Sequence, residues 1–369
     1  MTQLFNLQKI KAAACCLAVA CSVCAAAGAR IENGRAIVKA AGVTGGLVVV
    51  IGCDDPSLLA SLHRAGPYLV CGLDVNAGKI TAARKFLLEN KLYGPVVVSQ
   101  LQDTQLPYAD ELVNMIVVTA RSKIAVEEMK RALAPNGVIV DITGDKIEIT
   151  RKARNAKLDE WTHYLYDATN NAVSKDTTVA PPQGIRWTAG PKYARSHEHF
   201  ASVSAMVSAA GRLFYIIDEG PISSVYMKPK WSLVARDAFS GVLLWKKPIA
   251  NWESHLRGFR SGPPEIGRLL VAKGDHVYVT LGLSEPVSVL DAAGGKTLGK
   301  LEGTDGAREM LLTGGVLYVL ADDVTAEEHE QRKKWINETN PKLKMWYNFP
   351  RKALRLYGAQ RVIAVKVAT

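Results

Sequence analysis

Two periodicities divide the chain. Between Val43 and about Lys146, short continuous apolar runs alternate with amphipathic stretches. The runs Gly46–Ile51, Tyr68–Asp74, Pro95–Ser99, Val113–Thr119 and Gly137–Ile142 predict buried strands. The stretches Ser57–Arg64, Ala77–Asn90 and Val126–Leu133 predict helices, and Ile80, Ala83 and Leu87 share one face of the second. Strands that alternate with helices imply a parallel sheet covered on both faces, here over residues 40–150.

After about residue 185 the rhythm changes to paired strands. Leu233-Val-Ala-Arg-Asp-Ala-Phe-Ser-Gly-Val-Leu-Leu-Trp245, Val287-Ser-Val-Leu-Asp-Ala-Ala-Gly-Gly-Lys-Thr-Leu298 and Val362-Ile-Ala-Val-Lys-Val-Ala-Thr369 share one plan of strand, tight turn and strand. Each follows a Gly-led strand with a Tyr four residues on, at Gly211, Gly274 and Gly314. Asp caps its own turn and Gly accepts positive φ, so these residues read as hairpin architecture. A spacing of about fifty residues is that of propeller blades.

The phrase resembles the pyrroloquinoline-quinone-like (quinoprotein-type) blade, best around Asp237, Gly241 and Trp245. The resemblance implies all-β propeller blades over 185–369, interrupted by an insertion at 324–357 with charged and aromatic character. That insertion suits a protein partner or an envelope surface. Quinoproteins with this blade carry a vicinal Cys pair under the cofactor, and no Cys follows Cys71. The resemblance therefore implies shared architecture, with pyrroloquinoline quinone and a divergent oxidoreductase as the lesser alternative. The last phrase stops at Thr369 inside a hairpin, and about three blades fall short of a ring of four to eight. The propeller is expected to be incomplete, the chain part of a longer protein, and the open strand edges prone to aggregation.

The first hundred residues of the α/β region resemble class I S-adenosylmethionine-dependent methyltransferases, a Rossmann-like fold. Val48-Val-Val-Ile-Gly-Cys53 is similar to the first glycine motif, Leu73-Asp74 to the acidic end of the second strand, and Leu133-Ala-Pro-Asn-Gly137 to the turn before the fifth. The resemblance implies S-adenosylmethionine as cofactor, with Gly52, Cys53 and Asp54 on the loop, Asp74 on the ribose and Asp103 near the adenine. The loop departs from the pattern. It continues Asp54-Asp55-Pro56 where the family has Gly-x-Gly, which narrows the backbone freedom that close approach to a ligand requires. A degenerate, non-catalytic domain is the expected reading, and an active methyltransferase the alternative.

Between the two regions, residues 151–184 form a linker and propeller entry dense in polar groups. Trp161, His163 and Asp167 are candidates for lining the propeller face, and the same residues could instead pin the linker to the first blade. Ile185-Arg-Trp187 is expected to be the first outer strand. His197 and His199, two apart, would share one face of a strand. A metal would need a third ligand such as His163 or His255, and a polar loop on the propeller face is the plainer reading.

Composition adds location. Lys9 and Lys11 precede an apolar stretch, Ala12 to Ala27, that is too short to span a bilayer and ends in Ala25-Ala-Ala-Gly-Ala-Arg30. This is the pattern of a secretory signal peptide at 1–28, with a buried N-terminal helix as the alternative. Leu17-Ala-Val-Ala-Cys21 loosely resembles an acylation box. The mature chain is expected to be exported, in the periplasm or cell envelope, soluble or lipid-anchored, with no transmembrane span. Only Cys53 and Cys71 would remain to pair. The formal charge of +11 comes from scattered Lys and Arg without a basic run, which argues against a nucleic-acid partner.

Overall fold

The computed structural model describes residues 34–144, 146–182, 184–190, 203–223, 230–249, 266–282, 285–323, 325, 327 and 359–367. The signal-peptide region, His197, His199, His255 and nearly all of the 324–357 insertion lie outside them.

The first region is a six-stranded sheet in the order β3-β2-β1-β4-β5-β6. Strands β1 (Gly46–Ile51), β2 (Tyr68–Asp74), β3 (Val96–Gln100), β4 (Val113–Val118) and β5 (Leu133–Asp141) run parallel, and β6 (Glu148–Arg151) is antiparallel to β5. The two central strands β1 and β4 are buried at every position, which explains why they are apolar throughout except for Asn114. Alternation sends Val48 and Val50 to one face and Val49 and Ile51 to the other. Helices α1 (Gly34–Ala41), α2 (Pro56–Arg64) and α3 (Ala77–Glu89) cover the first face, and α4 (Val126–Ala132) the second. Strand order reverses between β1 and β4, the topological switch point of a methyltransferase-like Rossmann fold. Sequence periodicity did not show α1 or the exposed edge strand β6, and β5 begins four residues earlier than expected.

The second region holds three antiparallel sheets around one apolar core. The first contains β7 (Val203–Ala209), β8 (Arg212–Asp218), β9 (Trp231–Asp237) and β10 (Leu243–Pro248). The second contains β11 (Leu270–Lys273), β12 (His276–Val279), β13 (Val287–Asp291) and β14 (Thr297–Leu301). The third has β15 (Ala307–Thr313), β16 (Val316–Asp322) and β17 (Gln360–Lys366). These sheets have the strand-by-strand form of blades.

Register corrects the repeat alignment by one residue in the first sheet. Arg212 pairs with Asp237, His276 with Asp291 and Val316 with Lys366. Phe214, rather than Tyr215, is thus the equivalent of Tyr278 and Tyr318. The backbone gives the reason: Ala210 takes the left-handed turn position (φ +50°) that Gly274 (+55°) and Gly314 (+56°) occupy in the other sheets.

Neighbouring sheets are joined by a recurring tryptophan contact. The Trp245 indole N–H donates to the Ala292 carbonyl at 2.9 Å, and its ring lies where a Cβ on Gly295 would come within 2.6 Å. Trp187 does the same to the first sheet, donating to Ala238 at 3.2 Å over Gly241. Residues 185–187 form no strand themselves, and Trp187 contributes this contact instead. The corresponding position on β14 is Gly299, with nothing within 4 Å of its Cβ direction.

The blade region meets the α/β sheet at the amino ends of β1 and β4. The Asn114 amide N–H donates to Asp237 Oδ2 at 2.7 Å, while Asn114 Oδ1 accepts the Leu47 N–H at 2.8 Å. A Cβ on Gly46 would lie 2.1 Å from Asn114 Oδ1, so only Gly fits beside this bridge. A Cβ on Gly45 would meet Leu244 of β10 at 2.5 Å.

Candidate functional site

The carboxyl ends of β1 and β2 bring Gly52, Cys53, Asp54 and Asp74 together. Gly52 leaves β1 with φ +103°, and its Cβ direction is filled by Thr119 Oγ1 at 2.4 Å. Its N–H donates to the Leu73 carbonyl at 2.8 Å, and the Thr119 hydroxyl donates to the Ile51 carbonyl at 3.0 Å. The turn is therefore stitched to both flanking strands.

Asp74 is buried, with 8% of its surface exposed. Its Oδ2 accepts the Cys53 N–H at 2.9 Å and its Oδ1 the Asn76 N–H at 2.8 Å. Lys79, on the first turn of α3, pairs with Asp54 at 2.5 Å and lies 4.0 Å from Asp74. This pairing with Asp54 raises the Lys79 pKa above its ordinary value. Asp55 caps α2 by accepting the Ser57 N–H at 2.9 Å, and Pro56 follows at the first helical position. The departure from Gly-x-Gly is thus a helix cap. Asp103 stands apart on the exposed loop after β3, where its carboxylate accepts from the neighbouring Thr104.

Burial, reinforced by the Asp74 charge, pushes the Cys53 thiol up to about 12, and burial also raises Cys71. Both cysteines are free, and protonated buried thiols are poor nucleophiles.

Each Asp74 oxygen accepts one backbone N–H, from Cys53 after β1 and from Asn76 after β2, and Thr119 Oγ1 occupies the Cβ direction of Gly52. Sequence reasoning missed Lys79 and Thr119. The signal for Lys79 was its place three residues after the cap Asn76, behind the acid of β2.

The linker candidates gather elsewhere. Trp161 exchanges hydrogen bonds with Ser208 of β7, whose N–H donates to the Trp161 carbonyl at 2.7 Å. The Thr162 carbonyl accepts the Ala272 N–H of β11, and His163 Nε2 accepts the Leu312 N–H of β15 at 2.9 Å. One three-residue segment thus ties β7, β11 and β15, the first strand in sequence and an edge strand of each of the three sheets. Accepting at Nε2 fixes the His163 proton on Nδ1, which donates to Thr162 Oγ1 at 2.7 Å. Burial lowers the His163 pKa to about 4. Asp167 is held by Thr169 and by Lys175 at 3.5 Å, and its pKa is lowered mainly by the Thr169 hydroxyl. Among the described residues no group of His, Cys, Asp and Glu could hold a metal ion, and no helix is long and apolar enough to cross a membrane.

No family model and no curated protein matches the chain. Among solved structures, the chain is similar to a putative S-adenosylmethionine-dependent methyltransferase from Methanococcus maripaludis. The identity is 20% with a TM-score of 0.27, covering 29% of this chain and 52% of that one. It is also similar to a methyltransferase of the same type from Aquifex aeolicus (19% identity, TM-score 0.26, 30% and 65% covered). A third is a geranyl diphosphate C-methyltransferase from Streptomyces coelicolor (16% identity, TM-score 0.27, 29% and 43% covered). The chain spans less than two thirds of the length of each. Its own strand order defines the class: a methyltransferase-like α/β domain followed by antiparallel β-sheets.

Proposed function

We propose that this chain is a non-catalytic binding and scaffold module, in which a degenerate methyltransferase-like domain carries propeller-type blades. The observation that carries this reading is Asp74, whose buried carboxylate serves as an internal staple between the loops after β1 and β2. The blades are the binding element, and a protein or envelope-surface partner is the class of ligand that their exposed rims suit. Export to the periplasm or cell envelope belongs to the same proposal and rests on Lys9, Lys11 and the Ala-rich stretch. N-terminal sequencing of exported protein should give a start near Ala27 to Ile31. A start at Met1 would remove the export argument, and one at Cys21 would establish acylation.

Calorimetric titration of the intact chain tests the catalytic question. S-adenosylmethionine, and pyrroloquinoline quinone with Ca²⁺, should give no saturable heat. The switch point between β1 and β4 favours a second reading, in which the crevice opens to take S-adenosylmethionine. Micromolar binding that Asp74→Ala abolishes would establish that reading and end the first.

A further inference from the structure

Away from the crevice, at the amino end of the sheet, a cavity of about 240 Å³ lies between the α/β domain and the first two blade sheets. Turns from both regions wall it: Gly42 to Gly45 and Asn136 from the α/β side, Ala210 and Gly211 from the blades. Arg151, Arg154 and Arg212 line it together with only two carboxylates, Asp237 and Asp275.

The three guanidinium groups are not equivalent. Arg154 is neutralised by Glu160 at 2.6 Å and also holds the Leu158 carbonyl. Arg212 pairs with Asp275 at 3.2 Å, but that carboxylate is 77% exposed, so water and salt screen the pair. Arg151 bonds only carbonyls, Asn136 at 2.8 Å and Ala41 at 2.5 Å, and no carboxylate of the described residues pairs with it. Asp237 makes no ion pair with Arg151: one of its oxygens accepts from Asn114, the other from the Phe239 and Ser240 N–H groups and the Ser240 hydroxyl. An arginine has five N–H donors in a rigid fork that matches carboxylate and phosphate geometry, and Arg151 commits few of them to its carbonyls.

We propose that this interdomain cavity binds a small oxyanion, a carboxylate or a phosphate, between Arg151 of the α/β domain and Arg212 of the first blade sheet. The ligand contacts both regions, so its occupancy strengthens their docking. This site is independent of the β1–β2 crevice and of any reading of it.

Thermal unfolding of the intact chain, in phosphate, malonate or chloride at equal ionic strength, tests the proposal. A saturable rise in midpoint, on the order of 3 °C at ten times the Kd, is expected with phosphate or malonate and not with chloride. Phosphate acting alone identifies a phosphate-type ligand, and malonate acting alone a carboxylate-type one. Arg212→Gln, which changes a screened pair and should fold normally, is expected to weaken the effect at least tenfold. Arg151→Gln should abolish it, and Arg151→Lys should retain part of it. Equal midpoints in all three salts, or an oxyanion effect that survives Arg212→Gln unchanged, would overturn the proposal.

Discussion

The two ends of the parallel sheet use polar residues in opposite ways. At the carboxyl end, where an α/β fold ordinarily receives its ligand, Asp74, Thr119, Asp54 and Lys79 bond to one another and to backbone, and the turn is closed from within. At the amino end, Asn114 reaches out of the domain to Asp237 of a blade hairpin, and three arginines surround an interdomain cavity. The same strand order thus carries polar groups that bond within the domain at one end and across to the blades at the other.

Breaking the amino-end bridge should have the largest effect. Asn114→Ala leaves the buried Leu47 N–H without an acceptor and removes a donor from a carboxylate that burial already pushes up in pKa. The expected loss is roughly 3 kcal/mol, seen in urea unfolding. Wild-type stability in this variant would show that the two regions do not dock through this pair.

His163 gives a comparable effect with a pH signature. Its pKa is about 4 in the folded chain against 6.5 ordinarily, so between these values the unfolded state binds more protons. Its contribution is therefore fully present above about pH 6.5 and is lost as pH falls toward 4, a change of about 3 kcal/mol. His163→Gln should flatten the denaturation midpoint over that window. A wild-type profile already flat there would contradict the neutral, accepting imidazole.

Within the blades, Gly295 and Gly299 make a sharper contrast. Gly295→Ala adds a Cβ at φ +70° and 2.6 Å from Trp245, and should cost about 1–3 kcal/mol. Gly299→Ala meets open space and should change stability by no more than about 0.5 kcal/mol. Similar melting temperatures for both variants would remove the tryptophan contact as the joint between sheets. The smallest effect is expected at the crevice rim. Lys79→Met breaks a solvent-exposed pair with Asp54, and its melting temperature should stay close to that of the wild type.

The sequence showed what depends on repeating local pattern. The limits of β1 and β2 were legible because both are short, largely buried apolar runs, and the Asp-to-Gly hairpins because few residues satisfy such turns. Neither the use of Ala210 at a left-handed position nor the burial of Asp74 could be read that way. The first breaks the glycine rule that aligned the repeats, and the second depends on the N–H groups of loops brought together only by folding. The role of Asn114 within the apolar run of β4 was not legible, since its partner Asp237 lies 123 residues away. Trp161 and His163 were legible as a polar convergence, but the bonds of Trp161, Thr162 and His163 to three separate strands required the sheets to be in place.

Hydrogen exchange at the Cys53 and Asn76 amides, with and without S-adenosylmethionine, tests the central claim most directly. Both N–H groups donate to the buried Asp74 carboxylate, so both should be strongly protected, and millimolar S-adenosylmethionine should leave their protection unchanged. Rapid exchange of both amides in the free chain, or a change in their protection on adding S-adenosylmethionine, would contradict a crevice closed from within.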